Sequence, residues 1–292
     1  MMNEIVISTL EQGLIFAIVA IGVYITYKIL DFPDLSVDGT FPLGAAVCAF
    51  GLMRDMNPFL CCFLAFLSGC IGGLFTGILN VKLKIDALMS GILVMTGLYS
   101  INLRIMGKSN VPFFGKELVF NEKVNKLIVI IVILVIVKIL FDLFLKTKRG
   151  FLLIAVGDND QMVTSLGVSK DNIKILGLVI SNGFVSLGGA MTAQYQGYAE
   201  VSMGTGVVVM GLAAVIIGST ILGKVSFIKG TTLAIVGAVV YKVAMAVALQ
   251  FRIEPQDLKL ITAIIIIVAL SCNGKLFSFK RKVRGGEKVA TN

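Results

Sequence analysis

The sequence lacks histidine altogether and is poor in charge, and each of these two shortages excludes a class of protein. Without histidine the chain has neither the commonest general base nor the commonest metal ligand, so we expect neither an enzyme nor a metalloprotein. Only 15% of the 292 residues are charged, whereas 57% are hydrophobic. A soluble fold cannot hide so much apolar surface, because about half of a folded protein's surface still faces water. We therefore expect an integral membrane protein without a cofactor.

The five cysteines do not form the pattern of a metal site or of a disulfide framework. All of them lie in apolar stretches and none belongs to a CxxC pair, so we expect small buried side chains. The net charge of +9 does not indicate nucleic-acid binding. Lys and Arg lie between apolar blocks or in the C-terminal tail, where they orient membrane helices.

Nine apolar blocks are long enough, or nearly so, to cross a membrane, which takes about 20 residues. They cover residues 10–30, 36–53, 58–81, 87–103, 127–145, 173–195, 207–222, 228–250 and 258–272. The predicted fold class is all-α, a polytopic membrane protein of about nine transmembrane helices in one transmembrane domain, residues 1–292. The N-terminal stretch carries Glu4 and Glu11 but no Lys or Arg, so the first block is predicted to be a retained helix and not a signal peptide.

Lys and Arg predict the orientation of the helices. With the loop of residues 146–172 on the inside, these cations are about twice as frequent inside as outside. We therefore expect the N-terminus outside and the C-terminus, with the basic tail of residues 273–292, in the cytoplasm. Small residues recur along two of the blocks, for example at Gly69, Gly73 and Gly77, and predict close helix contacts, either within the chain or between subunits.

Two short polar elements interrupt the apolar pattern, at residues 31–42 and 200–205. The first has three aspartates and two prolines at a membrane boundary, which indicates either an interfacial turn or a broken helix beside a transport path. When Asp38 is left out, residues 34–40 and 200–205 share the order acidic, aliphatic, Ser, aliphatic, Gly, Thr, and each precedes a short Gly-rich block. The charge count places the first inside and the second outside.

This recurrence predicts an inverted repeat of residues 10–145 and 173–272. The two polar elements supply the residues that we expect along a translocation path: Ser36, Asp38, Gly39, Thr40, Ser202, Gly204 and Thr205.

The cytoplasmic loop of residues 146–172 is too polar for the membrane and is patterned as a short helix. Asp158 and Gln161 have the spacing of a capping box. Gly167 is the expected stop, and Ser169 the expected N-cap of the next helix. The apolar stripe of this helix consists of Met162, Val163 and Leu166. Such a helix either rests on the lipid headgroups or docks on a cytoplasmic protein.

Two stretches resemble bacterial ABC importer permeases. Residues 34–37 with Gly39 and Thr40 resemble the DLSVGS-type element of sugar permeases, and residues 155–168 with Gly188, Gly189 and Ala190 resemble the coupling region of branched-chain amino acid permeases. Residues 30–45 are similar to a subgroup associated with uptake of tryptophan or other aromatic amino acids. The resemblance covers residues 10–272, although the first short helix of ten-span sugar permeases is absent.

The resemblance implies a permease subunit of the bacterial inner membrane that takes up a small solute, with an aromatic amino acid favoured. Two copies of the chain would form the path, and an extracytoplasmic binding protein would deliver the solute. Separate ATPase subunits would dock on the coupling segment, which holds Asp158, Gln161, Met162, Val163, Leu166 and Gly167. The absence of a GxxxxGK[ST] loop agrees with ATP hydrolysis by a partner.

Two alternatives stay open at the level of the sequence. The importer could carry a sugar or another small solute. An ion-coupled secondary carrier also fits inverted repeats and broken helices. A carrier needs ionisable residues within its spans, and here they are few: Lys138, Asp142 and Lys242.

Overall fold

The computed structural model describes residues 2–120, 125–165, 167–222, 229–250, 260, 262–264 and 267. Helices dominate the described residues and two short strands accompany them. The helices are α1 (Met2–Tyr24, continued by a π-helical turn, Ile25–Ile29), α2 (Val37–Leu52), α3 (Pro58–Val81), α4 (Ala87–Met106), α5 (Lys126–Leu145), α6 (Lys148–Asp158), α7 (Asp160–Ser165), α8 (Lys170–Gln196), α9 (Val207–Leu222) and α10 (Gly230–Gln250). The strands are β1 (Asn110–Pro112) and β2 (Tyr198–Glu200), and a 3₁₀ turn (Val201–Gly204) leads into α9.

Seven helical segments of the described chain are long and apolar enough to cross a membrane, and α2 is a shorter apolar helix. The all-α polytopic fold predicted from the sequence is confirmed. The first eight predicted blocks correspond to α1–α5 and α8–α10, and most of the ninth, residues 258–272, lies outside the described residues. Helix α1 begins earlier than predicted, at Met2, because glutamate is a good helix former and Glu4 lies in its first turn.

Helix α8 lies at the centre of the molecule and packs against α1, α2 and α3. Glycines on α3 let the two backbones touch: a β-carbon at Gly69 would overlap the carbonyl oxygen of Asn182, and one at Gly73 that of Leu178. Gly77 faces Ile175 in the same way. The glycine stripe on α3 therefore serves packing within the chain, which decides between the two interpretations that the sequence left open.

The loops at one end of the bundle are tied together. Strands β1 and β2 pair antiparallel, with Val111 opposite Ala199. An ion pair of 2.8 Å joins Lys116, in the α4–α5 loop, to Asp55, in the α2–α3 loop. Helices α6 and α7 lie at the other end, where a β-carbon at Gly157 would overlap the carbonyl oxygen of Ile29 at the end of α1. Charge counting predicted this same grouping of the loops.

Candidate functional site

Helix α2 begins inside the bundle, not at its edge. The chain reverses direction after α1 at Asp31, whose φ of 50° is left-handed. Asp34 then accepts hydrogen bonds from the backbone N–H of Ser36 (2.9 Å) and from its hydroxyl (2.5 Å), which fixes the turn before α2. Gly39, in the first turn of α2, packs against Met95, about halfway along α4. The sequence favoured a turn or a broken helix here, and the start of α2 within the bundle is the broken helix.

A buried polar network joins this start to the middle of α8. The amide nitrogen of Asn182 donates to Asp34 (2.8 Å), and the hydroxyl of Thr40 donates to the amide oxygen of Asn182 (2.7 Å). The hydroxyl of Ser36 lies 3.2 Å from the same oxygen. All four side chains are buried, so each needs these partners. Ser36 and Thr40, predicted along the translocation path, therefore face α8 and hold α2 in place.

Asp38 connects the two predicted polar elements. Its carboxylate accepts hydrogen bonds from the backbone N–H groups of Gly206 (2.9 Å) and Val208 (2.8 Å), the donors left free at the start of α9. A β-carbon at Gly204 would overlap the carbonyl oxygen of Asp38. The two elements, predicted at opposite faces, enter from opposite ends of the bundle and meet inside it, because an aspartate on one caps the helix that follows the other.

A cavity of about 350 Å³ lies beside this junction, and we refer to it as the Asp38 cavity. Of the predicted path residues, Asp38, Gly39, Ser202 and Thr205 line it, whereas Ser36, Thr40 and Gly204 do not. The remaining lining residues are Pro42, Met95, Thr96, Tyr99, Asn102 and Val201. The cavity therefore combines a carboxylate, several hydroxyls and one aromatic ring.

Asn102 is a lining residue that the sequence analysis missed. It is fully buried on α4 and its amide nitrogen donates to the carbonyl oxygen of Gly39 (3.1 Å). Its amide oxygen has no hydrogen-bond partner in the described part of the chain, which is unusual for a buried polar atom. A single asparagine in an apolar helix carries no sequence signal that distinguishes a lining residue from a packing residue.

Two further cavities lie on the other side of the 3₁₀ turn, and we refer to them together as the Lys242 cavities. They measure about 180 and 470 Å³ and share Gln12, Met210 and Lys242. The smaller one is also lined by Ile15, Phe16, Phe41, Thr192, Tyr195, Gln196, Met203 and Val207. In the sequence Lys242 was only a lysine within an apolar block, because the cavities arise from the packing of α1, α8, α9 and α10.

The other ionisable groups predicted within spans form a separate cluster. Asp142 on α5 pairs with Lys138 (3.2 Å) and with Lys229 just before α10 (2.9 Å), and it accepts a hydrogen bond from Thr231 (2.8 Å). This cluster joins α5 to the start of α10 and leaves neither carboxylate oxygen free. Among the described residues, no group of three or more cysteines, aspartates or glutamates could hold a metal ion.

Three cysteines surround one glutamine of α8. The amide nitrogen of Gln194 lies 3.2 Å from the sulfur of Cys48 and 3.1 Å from that of Cys62, and Cys61 is buried close by. The amide oxygen of Gln194 accepts the backbone N–H of Val119 (2.9 Å). These cysteines are reduced and buried, as the sequence predicted.

The predicted coupling segment contains two helices, where the sequence predicted one. Helix α6 precedes the short α7, and the cap of α7 is Asn159, which accepts from the backbone N–H of Gln161 (3.1 Å); the capping box starting at Asp158 is therefore wrong by one residue. Gly167 ends the segment with a φ of 74°, and Ser169 caps α8 by accepting from Asn172, as predicted.

The side chains of the coupling segment divide between the core and the surface. Val163 is fully buried in the hydrophobic core of the chain itself, so it anchors α7 instead of pointing at a partner. Asp158, Gln161 and Gly167 are exposed. The side chain of Met162 and all of Leu166 lie outside the described residues.

Broken helices that meet inside an apolar bundle, beside polar cavities, are a recurring feature of membrane transporters. The sequence profile of the permease component of branched-chain amino acid transport systems matches residues 5–271. The chain belongs to this family and is a permease subunit of an ABC-type transport system. It is a multi-pass membrane protein.

Individual relatives cover almost the whole chain. A tyrosine transport system permease protein of Clostridioides difficile is 50% identical over 94% of both chains. An uncharacterized protein of Rickettsia prowazekii is 35% identical over 92% of this chain and 97% of its own. The autoinducer 2 import system permease protein LsrC of Salmonella paratyphi B is 26% identical over 93% of this chain and 78% of its own. No solved structure matches the chain.

Proposed function

We propose that this chain forms the translocation path of an importer for an aromatic amino acid such as tryptophan or tyrosine. The observation that carries the proposal is the junction at Asp38, where two short helices begin inside the bundle beside a cavity of mixed polarity. The name of the C. difficile relative, a tyrosine permease identical at half of the aligned positions, supports the choice of solute. Membership of a permease family supports ATP hydrolysis by a separate subunit and delivery of the solute by a binding protein.

In this proposal the Asp38 cavity is one part of the path, and its lining suits an amino acid. The Asp38 carboxylate and the hydroxyls of Ser202 and Thr205 can accept hydrogen bonds from an ammonium group. The exposed ring of Tyr99 offers an apolar face to an aromatic side chain. Because Asp38 also caps α9, a shift of α2 against α9 changes the cavity and the cap together.

The contacts between α6 and α1 suggest how the ATPase acts on this cavity. Gly157 on α6 packs directly on Ile29, and the chain then passes through Asp31 and Asp34 to the start of α2. Leu153 of α6 and Leu30 also meet at Gly177 on α8. A displacement of α6 and α7 would thus be transmitted to the N-terminus of α2 within one connected group of side chains.

The partner ATPase docks, in the same proposal, on the exposed side of the coupling segment. Asp158, Gln161 and Gly167 face outward there, and Met162 and Leu166 are the proposed apolar contacts. Val163 holds α7 against the core of the permease, so that a push on the exposed side moves the helix as a unit. A groove in the ATPase that receives this segment would have an apolar centre and a polar rim.

The proposal includes the arrangement in the membrane. The N-terminus lies outside and the C-terminus in the cytoplasm of a bacterial inner membrane, two copies of the chain form the complex, and lipid covers the exposed apolar sides of α3 and α5. The opposite directions of α2 and α9 from their common junction support the inverted repeat of residues 10–145 and 173–272. The similarity to LsrC, whose name gives autoinducer 2 as its solute, favours one alternative, the same importer type for a sugar or another solute that is not an amino acid.

Reconstitution in proteoliposomes tests the function. The chain, its cognate ATPase and its binding protein should drive ATP-dependent uptake of labelled tyrosine or tryptophan, and uptake of leucine and ribose should be far slower. Asp38→Ala should reduce the uptake while the complex still assembles. Transport of ribose in preference to aromatic amino acids would support the alternative, and uptake without ATP, driven by an ion gradient, would contradict an ABC importer.

A further inference from the structure

The group least expected inside this bundle is the ammonium of Lys242. Helix α10 places it twelve residues from Gly230 and eight from Gln250, or about 18 and 12 Å along the axis from the two ends. A lysine side chain is shorter than either distance, so its ammonium does not reach a headgroup at the membrane surface. Ionisable groups at such depth are costly and face a cavity or a partner.

Lys242 faces cavities but has no anionic partner among the described residues. No carboxylate oxygen of the described residues lies within 4.0 Å of its ammonium, which rests 5.2 Å above the ring of Phe16. Glu11, on the facing helix α1, is buried and accepts a hydrogen bond from the hydroxyl of Tyr195 (2.9 Å). The two lysines near Asp142 differ in this respect, because each of them forms an ion pair.

The cavities around Lys242 suit a small amphipathic anion. The larger one, at about 470 Å³, is within the usual size of a site for a small molecule, roughly 300–1,000 Å³. In this larger cavity Met210 and Met245 provide apolar walls, and Ser8 and Thr9 provide polar groups. A carboxylate at the ammonium would leave an attached aromatic ring against the two methionines.

We propose that Lys242 binds the α-carboxylate of an aromatic amino acid at a second station of the path, across the 3₁₀ turn from the Asp38 cavity. The proposal rests on the proposed function, since the solute is the same. The 3₁₀ turn connects the stations: Met203 lines the smaller Lys242 cavity, and Ser202 the Asp38 cavity. One station thus carries a cation for the carboxylate, and the other carries a carboxylate for the ammonium.

The first test measures binding without the binding protein. Thermal stabilisation of the purified permease–ATPase complex is compared for tyrosine, for 3-(4-hydroxyphenyl)propionate, which lacks the ammonium, and for tyramine, which lacks the carboxylate. We expect 3-(4-hydroxyphenyl)propionate to stabilise the wild-type complex through Lys242, and Lys242→Met should abolish this stabilisation whereas Lys242→Arg should retain it. Stabilisation by tyramine, whose ammonium the Asp38 cavity can bind, should be the same in all three proteins. Equal stabilisation of wild type and Lys242→Met by 3-(4-hydroxyphenyl)propionate would overturn the proposal.

The second test measures uptake in proteoliposomes. Lys242→Met should lower the efficiency of tyrosine uptake about ten- to a hundredfold, the effect of losing a charged hydrogen bond. Lys138→Met is the matched control, because it removes a lysine at comparable depth and leaves Asp142 paired with Lys229. Unchanged uptake by Lys242→Met would overturn the second station while leaving the importer intact. Absence of tyrosine uptake by the wild type would contradict the proposed function alone, since the thermal test does not depend on transport.

Vesicle composition separates the amino acid from a lipid. Both proteins are reconstituted in zwitterionic phosphatidylcholine and in the same lipid with added anionic phosphatidylglycerol. We expect the Lys242→Met defect in both compositions. A defect confined to the anionic vesicles would identify a lipid headgroup as the anion and overturn the proposal.

Discussion

The region around α8 and the region around α10 solve the same problem, a polar group inside an apolar bundle, in opposite ways. Around α8, every polar side chain of the Asp34 network finds a partner, because glycines bring the helices into contact. Around α10, Lys242 faces cavities and has no anionic partner among the described residues. From this comparison we infer that the network around α8 keeps the helices in fixed positions, whereas the cavities at α10 can bind a solute.

The largest effect is expected where the closed network is broken. Asn182→Leu leaves the carboxyl group of Asp34 and the hydroxyls of Ser36 and Thr40 without their shared partner, and each buried polar group that loses its partner costs about 1–3 kcal/mol. The yield of monodisperse protein in detergent and its unfolding midpoint would show the loss.

Asn172→Leu is the control for this experiment. It makes the same change in the same helix at an exposed position, where an effect of about 0.5 kcal/mol or less is expected. Equal behaviour of the two variants would mean that the network does not hold the fold.

A smaller loss is expected from one methyl group between α2 and α8. The β-carbon of Gly44→Ala would overlap the carbonyl oxygen of Ser186, and overpacking of this kind costs about 1–3 kcal/mol. Gly97→Ala places the same methyl where no atom lies within 4 Å and should keep the wild-type melting temperature. If both variants melted alike, close packing of this region would be refuted.

A substitution in the coupling segment should weaken binding to the ATPase and leave the stability of the permease unchanged. Leu166→Asp places a charge at a proposed apolar contact with the ATPase, and loss of a central contact costs about 1–3 kcal/mol of binding, roughly ten- to a hundredfold. Co-purification with the ATPase and ATP-dependent uptake should both fall, while the permease alone keeps its elution profile. Normal assembly and uptake would exclude this docking site.

The smallest change in stability is expected at the junction between the two regions. Asp38→Ala removes the cap of α9, which costs about 0.5–2 kcal/mol. Asp86→Ala removes an aspartate cap from α4, where Asp86 accepts from Leu88 (3.0 Å), and should destabilise the protein similarly. Only Asp38→Ala should also slow uptake. Equal uptake by the two variants would reduce Asp38 to a structural cap.

Features that depend on neighbouring residues were predictable, and features that depend on distant ones were not. Apolar length located α1–α5 and α8–α10, and Gly167 and Ser169 marked the boundaries around the coupling loop. The position of Asn159, one residue from the predicted cap, is a local error of the usual size. The sequence did not indicate α6, since 11 residues of mixed polarity give a weak periodic signal.

The candidate site was predictable only in part, because it too depends on contacts between residues that are distant in the sequence. Its residues were found through a short repeated pattern, but Asp38 caps a helix that begins about 170 residues later, and no local pattern encodes that contact. Asn102 and Lys242 acquire their surroundings only when helices far apart in the sequence pack together. Ser36 and Thr40 share the pattern of the lining residues and yet face α8, because alternate faces of one helix turn serve different neighbours.

The cysteines around Gln194 can stay in place during site-directed labelling. Cys48, Cys61 and Cys62 are buried, so a charged, water-soluble maleimide does not reach their thiols. Once Cys70, which is only partly buried, and Cys272 are replaced, a cysteine introduced at Gln161 or Glu200 can be labelled selectively. Replacing all three with serine would instead alter the surroundings of Gln194, which also holds the loop at Val119. The background that keeps these cysteines preserves the fold and is the better choice for mapping which loops face each side of the membrane.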